Sequence, residues 1–123
     1  AQCGLRYMFN LALSHHRLGV EEQSQPHLDK ASRVYGLAYS LLTTEEGGGC
    51  TVMLAAIVNN LGHVHLLEGT MDKAQRCFEH LLMALMFVTV GSSIRLSDEL
   101  HEGFFSNVMN MVLADQRKLA PAA

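Results

Sequence analysis

The chain has 123 residues, 49% of them hydrophobic, with nine Lys and Arg against twelve Asp and Glu. That length predicts one domain, whose folding buries roughly two-thirds of the surface that the unfolded chain exposes. The formal net charge of -3 provides no basic face and so argues against nucleic acid or an anionic membrane as the main partner.

Cysteine use and hydropathy point to a soluble intracellular protein. Cys3, Cys50 and Cys77 are an odd number without a CxxC pair, which predicts no disulfide framework and favours a reducing compartment, with the cytoplasm as our expectation. The longest apolar run, 81–90, is about half the roughly 20 residues that a membrane span needs. The start at Ala1, without a basic and then apolar leader, predicts a processed or trimmed piece of a longer protein.

The spacing of apolar residues predicts an all-α chain. They recur at intervals of three and four, and only two prolines interrupt them. Gly19 follows the first predicted helix, glycines 47–49 separate the second from the third, and Gly91 ends the fourth. The second half of the fourth, 81–90, is apolar on every side, as in a helix packed between neighbours or on a partner. The five predicted helices cover about 3–18, 26–43, 51–68, 71–90 and 96–116.

The two halves of the chain repeat each other. Residues 10–19, NLALSHHRLG, align with residues 60–69, NLGHVHLLEG, at an offset of 50. After the turn, residues 29–42 align with residues 72–85 at an offset of 43. Self-similarity over segments of this length indicates a duplicated helix-turn-helix unit.

The pattern within each unit resembles the tetratricopeptide repeat family. In that family a Leu-Gly pair comes three residues before an aromatic in the first helix, and an Ala comes four residues before an aromatic in the second. The residues that match are Leu61, Gly62, Ala74 and Phe78 in the second unit and Leu11, Ala31 and Tyr35 in the first, where Ala12 replaces the glycine. The residues that depart from it are Met8 and Val58, in the place of a Trp, and His15 and His65, in the place of a Tyr.

This resemblance implies antiparallel helix pairs stacked as a short right-handed α-solenoid. It places one domain over residues 1–123, with repeats at about 3–43 and 51–90 and the helix at 96–116 as a cap or divergent third unit. In such packing a small residue at position 12 or 62 lets the paired helix approach, and the aromatic side chain at position 35 or 78 fills the groove that is left.

A recurring asparagine predicts a binding surface. Asn10, Asn60 and Asn107 occupy the same place in the first, third and fifth predicted helices. In the family this place lines the concave groove, and its asparagines hold a peptide backbone, because an amide both donates and accepts hydrogen bonds. Helical spacing adds Arg6, His63 and Asn110 to this predicted partner-binding stripe. The alternative is that these asparagines bond neighbouring helices within the array.

The function that follows is non-catalytic, without metal or cofactor. We expect an interaction or scaffold module that binds a protein or peptide partner on its concave face, or packs as a subunit of a larger assembly. The alternative is a small metal- or thiol-dependent enzyme or sensor that uses His15, His65 or Cys50. The sequence contains no HExxH motif and no pair of histidines four residues apart, so it provides no metal-binding motif of that kind. The two histidines are therefore expected to be packed side chains with local hydrogen-bond partners.

Overall fold

The computed structural model describes residues 2–44 and 51–91, together with Gly103, Ser106 and Asn107. The first two stretches form four α-helices: α1 (Gln2–Glu21), α2 (Gln25–Thr44), α3 (Thr51–Glu68) and α4 (Met71–Gly91). No strand occurs among the described residues, which confirms the predicted all-α class. Of the predicted fifth helix, only the three single residues are described, and their backbone is helical. The rest of that helix and the glycines at 47–49 lie outside the described residues.

Two equivalent glycines have different roles in the two units. Gly69 ends α3 with a φ of 78°, a left-handed conformation that glycine adopts without strain. The prediction that Gly19 likewise follows the first helix is wrong, because α1 continues to Glu21. A Cβ added at Gly19 would lie 2.5 Å from Cδ2 of Leu28 on α2. This glycine therefore permits close contact between two helices.

Close approach within the second helix pair is confirmed at Gly62. A Cβ added there would lie 2.8 Å from Cζ of Phe78, so the ring of α4 occupies the space that a side chain on α3 would need. Ala12 and Tyr35 hold the equivalent positions of the first pair, and both are fully buried. The small residue and the aromatic thus meet in the core, as the repeat pattern predicts.

The two helix pairs bury the same positions of the repeat. We call α1 with α2 unit one, and α3 with α4 unit two. The equivalent buried residues are Ala31 and Ala74, Tyr35 and Phe78, Ala38 and Leu81, and Leu42 and Leu85. One buried cluster joins α1 and α2 with Ile57 and Val64 of α3, and the other joins α3 with α4. Tyr39 and Leu54 pack against both clusters, so the two cores meet where α2 packs on α3. This packing is consistent with a helical repeat.

The apolar second half of α4 is only partly covered. Leu81, Ala84 and Leu85 are buried, whereas Met83 and Met86 are more than half exposed. Within the part of the chain that the structure describes, no helix has both the length and the apolar composition needed to cross a membrane.

Candidate functional site

Six polar side chains form one line of hydrogen bonds across the two units. Its members come from α1, α2, α3 and the helical residue beyond α4. In order along the line they are His63, His16, Tyr35, Asn60, Asn59 and Asn107. We call this line the polar network.

His16 joins three helices at the centre of the polar network. Its Nδ1 on α1 lies 3.1 Å from the Tyr35 hydroxyl on α2. Its Nε2 lies 2.8 Å from Nδ1 of His63 on α3. Only 7% of His16 is exposed, so both ring nitrogens depend on these protein partners for hydrogen bonding.

The asparagines extend the network from unit one into unit two and beyond. The side-chain N–H of Asn60 donates to the Tyr35 hydroxyl oxygen at 3.3 Å. Its Oδ1 accepts from the amide of Asn59 at 3.0 Å. Oδ1 of Asn59 in turn accepts a hydrogen bond from Asn107. From Asn107 to Tyr35, each side chain therefore donates a hydrogen bond to the next member of the network.

Burial sets the protonation states of the network. Burial, and after it the neighbouring His63, lowers the pKa of His16 to about 4. Burial also lowers the pKa of His63. Burial raises the pKa of Tyr35 to about 12, although its hydrogen bond with Asn60 and the charge of Arg17 act in the opposite direction. At neutral pH both imidazoles are therefore uncharged and the phenol keeps its proton.

The structure joins some of the predicted binding residues and separates others. His63, Asn60 and Asn107 belong to the polar network; His63 is exposed, and the two asparagines are half-buried. Arg6 and Asn10 are exposed on α1 outside the network. The sixth predicted residue, Asn110, lies outside the described residues.

The histidines of the metal alternative make local contacts within their own units. Nδ1 of His15 lies 3.0 Å from Nδ1 of His27, with the two rings stacked at 5.2 Å. Nδ1 of His65 lies 3.2 Å from the hydroxyl of Thr70. Positions 27 and 70 are equivalent at the offset of 43, so both units make the same contact, as the packing interpretation expects. Among the described residues, no three His, Cys, Asp or Glu side chains are grouped as metal ligands would be. Cys50 lies outside the described residues.

Sequence reasoning missed the centre of the network. It gave His16, the Tyr35 hydroxyl and Asn59 no place in the predicted binding surface. One signal was present, because the aligned positions of unit two hold Leu66 opposite His16 and Phe78 opposite Tyr35. Two polar groups that unit one has and unit two lacks indicate a polar contact special to unit one.

The roles of the polar-network residues rest on the geometry described above, because comparison with known proteins adds no relative. Comparisons with family models, with curated proteins and with solved structures find no match to this chain.

Proposed function

We propose that this chain is a non-catalytic interaction module of the tetratricopeptide type, which binds an extended peptide segment of a partner protein. The proposed binding surface, called the groove face here, is formed by α1 and α3 and carries Arg6, Asn10, Asn60 and His63. The proposal includes a fifth helix over 96–116 that carries Asn107 and Asn110 and continues the stack as a right-handed solenoid. It also includes an intracellular, cytoplasmic location.

The observation that carries the proposal is that the polar network fixes Asn60 and still leaves it able to bind. A side-chain amide has two N–H donors and an oxygen that accepts two hydrogen bonds. Asn60 uses one donor on Tyr35 and one acceptor position on Asn59. Among the described residues these are its side-chain partners, which leaves one donor and one acceptor position, as one peptide unit of an extended partner requires.

Fixing the amide in advance supports binding energetically. A surface side chain that is ordered only on binding costs about 0.5–1.5 kcal/mol of conformational entropy. Asn60 already has its rotamer defined by Tyr35 and Asn59. The exposed Arg6 and Asn10 lie four residues apart on α1 and so share one helix face, where they can contact the same bound segment.

The test is selection of peptide ligands from a displayed random library against the full chain, followed by affinity measurements on variants. Arg6→Ala and Asn10→Ala are suitable because both side chains are exposed and their loss leaves the core intact. Together they are expected to weaken binding about five- to twentyfold, as two lost hydrogen-bonding groups would. The matched control is Lys30→Ala, which removes an exposed cation from α2 away from the groove face.

Two results would refute the proposal. One is that no peptide binds the folded chain. The other is that the Arg6→Ala, Asn10→Ala double variant binds as tightly as Lys30→Ala. Asn60→Ala is a poor substitute, because it also cuts the polar network at Tyr35 and Asn59.

A further inference from the structure

The hydroxyl of Tyr35 fixes which atoms donate and which accept along the polar network. Tyr35 is fully buried, and its hydroxyl oxygen accepts a hydrogen bond from Asn60. The hydroxyl proton needs an acceptor of its own, and Nδ1 of His16 lies 3.1 Å away. If His16 carried a proton on Nδ1, the hydroxyl would face two donors and its own buried proton would have no acceptor. An unsatisfied buried donor carries its full desolvation cost, so Nδ1 of His16 is the acceptor.

The tautomer of His63 is fixed in the same way, by the hydrogen bond from His16. A neutral His16 that accepts at Nδ1 carries its proton on Nε2 and donates it to Nδ1 of His63 at 2.8 Å. A neutral His63 that accepts at Nδ1 likewise carries its proton on Nε2. His63 is the exposed member, so within the part of the chain that the structure describes the network ends at the protein surface in one N–H donor, Nε2–H of His63.

A metal ion shared by the two histidines fits these contacts less well. Two ring nitrogens 2.8 Å apart could both bind an ion only if neither carried a proton. His16 would then hold its proton on Nδ1, and the buried hydroxyl of Tyr35 would lose its acceptor. No third His, Cys, Asp or Glu ligand is grouped with them in the described part of the chain.

We propose that His63, held in its Nε2–H tautomer by His16 and Tyr35, is the donor through which the groove face binds a main-chain carbonyl oxygen of the peptide. This inference rests on the proposed function and names the group that the site recognises. His63 makes the contact, and His16 and Tyr35 are positioning residues.

A carbonyl suits this site better than a carboxylate does. A carboxylate on Nε2 favours the protonated form of His63, which carries a second proton on Nδ1. That proton would face the Nε2–H of His16 across 2.8 Å, so two donors would oppose each other. The neutral carbonyl oxygen accepts from Nε2–H without changing the charge of either ring. The peptide partner is therefore recognised through its backbone at this point.

The tautomers are measured directly in the full chain by 15N NMR of the imidazole rings at pH 7.5. Both His16 and His63 are expected in the Nε2–H form. Finding His63 in the Nδ1–H form would overturn the inference, because the donor would then point at His16. This measurement needs no variant and no ligand.

The positioning role is tested with Tyr35→Phe and the matched control Tyr39→Phe. Phenylalanine already fills the equivalent position of unit two at Phe78, so the ring is expected to be tolerated, which circular dichroism checks. The hydroxyl of Tyr39 pairs with His80, outside the network. With a selected peptide that has no acidic residue and an amidated C-terminus, Tyr35→Phe should weaken binding about three- to tenfold. It should also leave His16 as a mixture of its two neutral tautomers. Tyr39→Phe should change neither the affinity nor the His16 tautomer.

The outcomes separate this inference from the function on which it rests. If Tyr35→Phe leaves affinity unchanged while Arg6→Ala and Asn10→Ala reduce it, the role of His63 and the fixing of Asn60 by Tyr35 are both overturned, and peptide binding through Arg6 and Asn10 stands. Preference for peptides that present a carboxylate at this point would likewise overturn recognition of a carbonyl. If no peptide binds, the proposed function fails, and the recognition role of His63 fails with it.

Discussion

Acid should destabilise this fold through the buried His16. The unfolded chain binds a proton at this histidine with the ordinary pKa of 6.5, whereas in the folded chain burial and the neighbouring His63 lower the pKa to about 4. Between these two values the unfolded state binds more protons, so the free energy of unfolding falls as the pH falls. Well above pH 6.5, for example at pH 7.5, the histidine is almost entirely neutral in both states and this penalty is nearly absent.

The size of the effect follows from the two pKa values. At pH 4.5 the penalty from His16 is about 2–3 kcal/mol, since one pKa unit corresponds to about 1.4 kcal/mol. The free energy of unfolding of small domains is only about 5–15 kcal/mol, so protonation of this one histidine removes a large part of it. Only 7% of His16 is exposed, so solvent does little to reduce the cost of charging its ring.

The assay is urea unfolding followed by circular dichroism at pH 7.5 and pH 4.5. The matched variant is His16→Leu with Tyr35→Phe, which gives unit one the apolar pair that unit two has at Leu66 and Phe78. On acidification the free energy of unfolding of the unmodified chain should fall by about 2–3 kcal/mol more than that of this double variant. Equal losses in the two proteins would refute the assignment of the effect to His16. The single His16→Leu variant should lose about 1–3 kcal/mol at pH 7.5, because the buried proton of the Tyr35 hydroxyl then lacks an acceptor.

Three further predictions concern packing, the turn between α3 and α4, and thiol chemistry. Gly62→Ala should lower the free energy of unfolding by about 1–3 kcal/mol, because its Cβ would meet the Phe78 ring at 2.8 Å. The control Gly36→Ala, with nothing within 4 Å of the added Cβ, should instead stabilise by about 0.5–1 kcal/mol in the same thermal unfolding assay. Gly69→Ala should lower the free energy of unfolding by about 1–2 kcal/mol in that assay, since the backbone there has a φ of 78°. Burial raises the pKa of Cys77 to about 11, so its alkylation at pH 8, followed by mass spectrometry, should be at least tenfold slower than that of a free cysteine peptide.

The sequence predicted the parts of the fold that depend on local spacing. The interval of apolar residues located four helices, and the offsets of 50 and 43 located two units that bury the same positions. The role of Gly19 was missed because a glycine between helical segments indicates either a helix end or a close contact. Spacing alone does not distinguish the two, and the choice depends on where Leu28 of the neighbouring helix lies.

The candidate site was predicted less completely because it depends on contacts between units. Asn60 and His63 were found from their place on one helix face. The residues that hold them, His16 and Tyr35, come from other helices and meet them only when the units stack. Helical spacing relates residues within one helix, so it contains no information about which ring nitrogen faces which hydroxyl across a helix–helix contact.

The difference between the two units suggests what the polar network contributes to the fold. At the positions of His16 and Tyr35, unit two has the exposed Leu66 and the buried Phe78, so the helix-turn-helix unit itself does not require the polar pair. Apolar packing stabilises a contact without fixing its direction, whereas each buried hydrogen bond is satisfied only when donor and acceptor are aligned. Sliding α1 along α3 by one residue would separate His16 from His63 and leave a buried nitrogen without a partner. The polar pair therefore makes the fold sensitive to acid and, by the same contacts, holds unit one in one register on unit two, which fixes where Arg6 and Asn10 of α1 lie relative to Asn60 and His63 of α3.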